Sequence, residues 1–172
     1  DPAMQDSLDA VLYGQFVPKS GLVYKAFEDK HIITPPLSKP DKDWLVVLGL
    51  DLHNRNPHGV VFMGLNKDDV WTVYDEIYEH CTIPELATKI KSKMGDRWPP
   101  ALSIADTSSN EPQSTSGLTE VQMLTNNYGF YILPAHKDVD AGISRVMHLL
   151  LGDKPSLYVN EICRNTIREF KH

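Results

Sequence analysis

From Trp44 onward the apolar residues of this chain fall into regular periods; before it they do not. Residues 44–50 are an almost unbroken apolar run, as in a strand covered on both faces. The run closes on an acid, Asp51, and Gly49 just before it fits a bulge or a close backbone approach. His53-Asn54-Arg55-Asn56-Pro57 is turn chemistry. Residues 59–65 read as a second strand, Asn66-Lys67-Asp68-Asp69 as a hairpin turn, and residues 70–78 as a third strand rich in β-branched and aromatic side chains. Three strands joined by short turns make an antiparallel meander.

The period then becomes helical. Thr82 and Glu85 have the spacing of a capping box, Pro84 fits a first turn, and Ile83, Leu86, Ile90 and Met94 share one face up to Gly95. Residues 101–105 predict a fourth strand, again ending in an acid, Asp106. A loop rich in Ser, Thr and Asn follows, then a helix near 118–127 and a fifth strand over 130–133. Asp138 caps a helix with Val139, Ile143, Val146, Met147 and Leu150 on its face and Gly152 at its end. A short strand over 156–159 and a helix over 161–170 complete the pattern.

A meander followed by alternating elements predicts an α/β mixed sheet with helices on both faces. The fourth strand returns over a helix, so it can run parallel to the first. If the two lie side by side, Asp51 and Asp106 end at the same edge, where α/β folds place their chemistry. Two carboxylates forced together do not both ionise cheaply unless a cation sits between them. Oxygen ligands favour Mg²⁺ or Mn²⁺, and two such ions would clamp the attacking water and the leaving oxygen of a phosphodiester. The ordinary alternatives are a turn aspartate at 51 and a turn or helix cap at 106.

Residues 1–4 read as a vector scar, residues 5–43 as an irregular lead-in from something upstream, and residues 44–172 as the domain proper. The lead-in carries a short helix near 7–12 and is then punctuated by Gly14, Pro18, Gly21, Pro35, Pro36 and Pro40. The 172 residues suffice for one domain with a sizeable core. A net charge of −6 argues against a protein coated in basic patches but leaves room for a local basic groove. Cys81 and Cys163 read as free thiols of a reducing compartment, with a single disulfide as the alternative. No apolar run reaches the roughly 20 residues of a membrane span.

GLDLHNRNPHGVVF, VYDEIY, IADTSS and AHKDVDAGISRVMHLLL, read in that order, resemble the nuclease domain of the large terminase subunit of tailed bacteriophages. LYGQFVPKSGLVYKAF resembles the segment that joins that family's ATPase motor to its nuclease, and YVNEICRNTIREF its late strand and helix. The resemblance implies an RNase H-like fold and a Mg²⁺- or Mn²⁺-dependent endonuclease that cuts double-stranded DNA during genome packaging in the host cytoplasm. It implies an upstream ATPase domain in the same polypeptide, and the portal protein and small terminase subunit as partners. Asp51 matches the family's first metal acid and Asp106 its second. The third lies in an Asp-His-x-x-Asp-Ala type helix, and the sequence ends at Lys171-His172 before any such motif, so the domain is expected to be trimmed there.

Several residues are candidate accessories. Asp138 and Asp140 are substitutes for the third acid, although an N-cap and an exposed position are their commoner roles. Glu76 points either toward Asp51 or to solvent, with Asp75 on the opposite face. His53 and His58 flank the turn after Asp51. His136 and Lys137 fit a phosphate contact, and Arg55, Lys89, Lys91, Lys93 and Arg97 fit contacts to a DNA backbone, against the default of a solvated surface. The absence of G-x-x-x-x-G-K-[ST] excludes a phosphate loop from this chain. Two other readings stay open: an RNase H-like nuclease of resolvase or transposase type, and a non-catalytic module that grips DNA or docks on a portal.

Overall fold

The computed structural model describes residues 22–37, 40–53, 55–106 and 118–172. The expected helix near 7–12 and most of the loop after Asp106 lie outside them. Among the described residues seven strands form one sheet in the order β1-β7-β4-β3-β2-β5-β6. They are β1 (Ile32–Ile33), β2 (Leu45–Asp51), β3 (His58–Leu65), β4 (Trp71–Glu79), β5 (Leu102–Ala105), β6 (Ile132–Pro134) and β7 (Leu157–Asn160). The helices are α1 (Ile83–Met94), α2 (Glu120–Tyr128), α3 (Val139–Leu150) and α4 (Arg164–Lys171). β2, β3 and β4 are the antiparallel meander, and every other pairing is parallel. This is the mixed sheet that the sequence predicts, and β5 does lie beside β2.

Each face of the sheet carries its own core. Val46, Leu48, Leu50, Val60, Phe62 and Ile77 pack with Leu86 and Ile90 of α1 and Leu124 of α2. On the other face Val73, Leu157 and Val159 pack with Leu150 of α3, and Ile167 and Phe170 of α4 close over them. β2 is central and covered on both sides, which is why its sequence shows no alternation. Gly49 makes the predicted close approach: a Cβ there would meet Cγ2 of Val61 at 2.9 Å.

The helix starts follow local chemistry. Thr82 and Glu85 close the predicted capping box of α1, Thr119 and Gln122 close another on α2, and the Asp138 carboxylate accepts from the Ala141 N–H at 3.0 Å to cap α3. The last helix starts at Arg164 rather than near 161. The chain first turns out of β7, with the Glu161 N–H on the Ile33 carbonyl and the Cys163 N–H on that of Asn160.

Part of the lead-in belongs to the sheet. Ile32 and Ile33 pair with Val159 and Asn160, and Phe27 and His31 are buried beside them. The His31 ring accepts the Glu28 N–H at Nδ1 (2.9 Å) and donates from Nε2 to the Leu150 carbonyl (2.9 Å). A two-residue strand has no period to read in a sequence, and a fully buried histidine breaks the apolar pattern around it.

Candidate active site

The parallel register of β2 and β5 runs from Val47 opposite Leu102 to Leu50 opposite Ala105. One residue further come Asp51, which ends β2, and Asp106, the first residue after β5. Leu50 and Ala105 face α1 and α2, so strand alternation turns Asp51 toward the α3 and α4 face. Both acids are exposed, at the carboxyl ends of adjacent parallel strands. Nε2 of His53 stands 3.0 Å from Oδ2 of Asp51, and the Asp51 side chain stays 68% exposed, open to a further partner.

His53 is itself held in place. Its backbone N–H donates to Nδ1 of His58 at 3.2 Å, and Nε2 of His58 donates to the Cys81 carbonyl at 3.0 Å. His58 is buried on the α1 and α2 face, in step with Val60 and Phe62. One imidazole therefore ties the chain leaving β2 to the segment that enters α1. Around it lies a cleft of about 470 Å³ lined by His53, His80, Thr82, Glu120 and Met123 among others. Glu120 is 3% exposed there. Burial pushes its carboxyl pKa up, against the opposing pull of His58 and His53.

Glu76 shares a face with Asp51 but is occupied elsewhere. Phe62 faces Asp75 and Met63 faces Val73, so Tyr74 is an extra residue on β4 and forms a bulge. The bulge resets the alternation. It leaves Asp75 on the α1 face, where Lys93 binds both its oxygens at 2.8 Å, and puts Glu76 opposite Val61 on the α4 face. There Oε1 accepts from the backbone and side-chain N–H groups of Asn165 (2.8 and 2.9 Å), and Oε2 from the backbone N–H and hydroxyl of Thr166 (2.9 and 2.8 Å). The first turn of α4 has no side-chain cap from Cys163, and Glu76 supplies one from the sheet.

The remaining sequence candidates are spread over the surface. Asp138 serves α3 as its N-cap, Asp140 is exposed in that helix's first turn, and Lys137 is exposed just before it. His136 accepts the Asp138 N–H at 3.3 Å. Most of the basic candidates are bound within the protein. Lys89 pairs with Glu79, Lys93 with Asp75, Arg97 donates to the carbonyls of Asp41 and Trp44, and Lys91 lies over the Trp98 ring. Arg55 is exposed on the turn before β3.

The donor set suits a hard divalent cation. Mg²⁺ is commonly bound by one or two carboxylates, with water and substrate phosphate completing the shell. Asp51 and Asp106 provide two carboxylates at the ends of adjacent parallel strands, and the ion-pair partner of Asp51 among the described residues is the His53 imidazole rather than a lysine or arginine. Among the described residues no group of three or more His, Cys, Asp or Glu side chains is arranged to hold a metal ion.

No family model and no curated protein matches the chain. Solved structures do. The large terminase of the thermophilic bacteriophage D6E superposes with a TM-score of 0.71 at 22% identity, over 98% of this chain and 43% of that one. The large terminase nuclease domain of P22 superposes with a TM-score of 0.66 at 21% identity, over 88% of this chain and 78% of that one. The large terminase nuclease of the thermophilic phage G20c, solved with bound zinc, gives 0.56 at 14% identity, over 87% and 86%. At these identities the likeness is one of fold. The chain has the fold of large terminase nuclease domains and spans less than half the length of the D6E protein.

Proposed function

We propose that this chain is the nuclease domain of a phage large terminase, a divalent-metal-dependent endonuclease that hydrolyses phosphodiesters of double-stranded DNA. The observation that supports the reading is the parallel pairing of Leu50 with Ala105, the residues just before Asp51 and Asp106, in a sheet with the fold of terminase nuclease domains.

Asp51 and Asp106 would hold Mg²⁺ or Mn²⁺. Metal bound there supplies an activated water and charge stabilisation at the phosphate and the leaving oxygen. The chain's own residues do the positioning. Oδ2 of Asp51 is fixed by Nε2 of His53, which leaves Oδ1 directed away from that contact. The His53 backbone is fixed in turn by His58, so the carboxylate is ordered before substrate arrives. The rest of a packaging machine follows from the same reading: an ATPase domain in the same polypeptide, a portal and a small subunit as partners, and the cytoplasm of an infected host as the setting.

The test is plasmid cleavage in Mn²⁺ or Mg²⁺ by the parent beside Asp51→Asn and Asp106→Asn. The reading requires cutting by the parent, cessation in EDTA and loss in both variants. Variants that cut like the parent would refute the assignment of the acids. A parent that binds DNA and never cuts, even as part of a longer chain, would favour a non-catalytic gripping module.

A further inference from the structure

The row of side chains that contains Asp51 continues across the sheet. Asp51 pairs with Gly59 of β3, and Gly59 pairs with Tyr78 of β4. All three lie on the α3 and α4 face. Gly59 puts nothing between the other two, and a Cβ there would already touch Asp51 Cβ at 3.6 Å. With strands about 4.8 Å apart, Tyr78 stands about 10 Å from Asp51. Tyr78 is 47% exposed.

A single exposed aromatic needs no explanation, but this one has a partner. The guanidinium of Arg168 lies over the Tyr78 ring, 5.6 Å from its centroid. Arg168 is on α4, one turn after the residues that Glu76 clamps, so the anchor described above also fixes where this arginine sits. Its other partner is its neighbour Glu169, at 3.0 Å. Both side chains of that pair are more than half exposed, and such a pair is weak and easily exchanged for a stronger anion. Lys89, Lys93 and Arg97 are committed to partners in other elements, whereas Arg168 is held on an aromatic face and its ion pair is with its neighbour in the helix.

Resting on the nuclease reading, we propose that Tyr78 and Arg168 form a contact for the backbone of the DNA strand that passes over Asp51 and Asp106. Arg168 takes a phosphate, which suits the planar guanidinium fork. The Tyr78 ring packs against the adjoining sugar, and the gap at Gly59 lets the strand lie down on the sheet edge between it and the acids. In a chain of net charge −6, a local cation beside the acid edge offsets the repulsion that the sugar-phosphate backbone meets there.

The test is binding of a short fluorescent DNA duplex, read by anisotropy across a salt series in Ca²⁺, with the oligonucleotide checked to be intact. Arg168→Gln should weaken binding about fivefold or more and reduce the slope of log K against log salt by about 1. Tyr78→Thr, which keeps a strand-forming residue, should weaken binding with a smaller change in slope. Lys42→Gln, in the loop before the opposite end of β2, should bind like the parent. The proposal is overturned if Arg168→Gln and Tyr78→Thr match the parent in affinity and slope. It is equally overturned if Lys42→Gln loses as much as Arg168→Gln, or if the parent does not bind the duplex. The assay involves no turnover, so its failure is separate from a failure of the acids to support cutting.

Discussion

Thr166 gives Glu76 both its backbone N–H and its hydroxyl, at 2.9 and 2.8 Å, although Glu76 lies on the same sheet face as the candidate metal acids. Asn165 repeats the pattern on the other carboxylate oxygen. Four donors converging on one partly buried carboxylate make Glu76 the anchor of α4. Glu76→Ala should therefore cost about 2–3 kcal/mol in denaturant unfolding, since hydrogen bonds to a charged group are the stronger kind. Glu76→Gln should lose less. Mn²⁺ affinity of the folded variant should stay within about twofold of the parent, because an anchor is not a ligand. A collapse of metal affinity in a well-folded Glu76→Gln would show that this carboxylate reaches the metal.

His58 makes a separate prediction. Its ring bridges the His53 N–H and the Cys81 carbonyl from a buried position. His58→Phe keeps the volume and removes both bonds, leaving two backbone groups without a partner. We expect a loss of about 1–3 kcal/mol in unfolding free energy. Cleavage measured where the variant is fully folded should fall about 10- to 100-fold, the usual cost of losing an outer-shell support. If His58 only stabilised the fold, the second effect would be missing.

Glu120 predicts a pH dependence with a definite sign. Burial raises its pKa in the folded state, so on raising pH the unfolded chain releases this proton first. The folded state then binds more protons than the unfolded one, and stability falls as pH climbs from the usual glutamate range to the raised value. Glu120→Gln removes that penalty. The variant should melt above the parent at pH 7.5, and its advantage should shrink as pH drops through the usual glutamate range. An advantage equally large below that range would mean that the carboxyl is not desolvated.

The parallel pairing of the two acid-ended strands was legible in the sequence, because the second returns over a helical crossover. The face of Glu76 was not legible. It depends on the bulge at Tyr74, and VYDEIY carries no glycine or other mark of an extra residue. His58 did leave a signal: in HGVVFMGL it falls on the same period-two positions as Val60 and Phe62, so a histidine among inward-facing residues was there to be read. Glu120 left none, since an acid in the first turn of a capped helix is ordinarily a solvent-facing residue. The lysines of α1 matched a solvated helix face in sequence, and in the structure two of them reach across to acids of β4.

The most direct test of the central claim is Mn²⁺ binding followed by electron paramagnetic resonance, because it reads the acid pair without requiring turnover. Ions that rest on Asp51 and Asp106 should bind the parent and lose more than about tenfold in affinity with either Asp51→Asn or Asp106→Asn, a larger effect than Asp138→Asn at the cap of α3 produces. Equal Mn²⁺ affinity in the parent and both strand-end variants would contradict the account, and would return Asp51 and Asp106 to the role of ordinary turn residues.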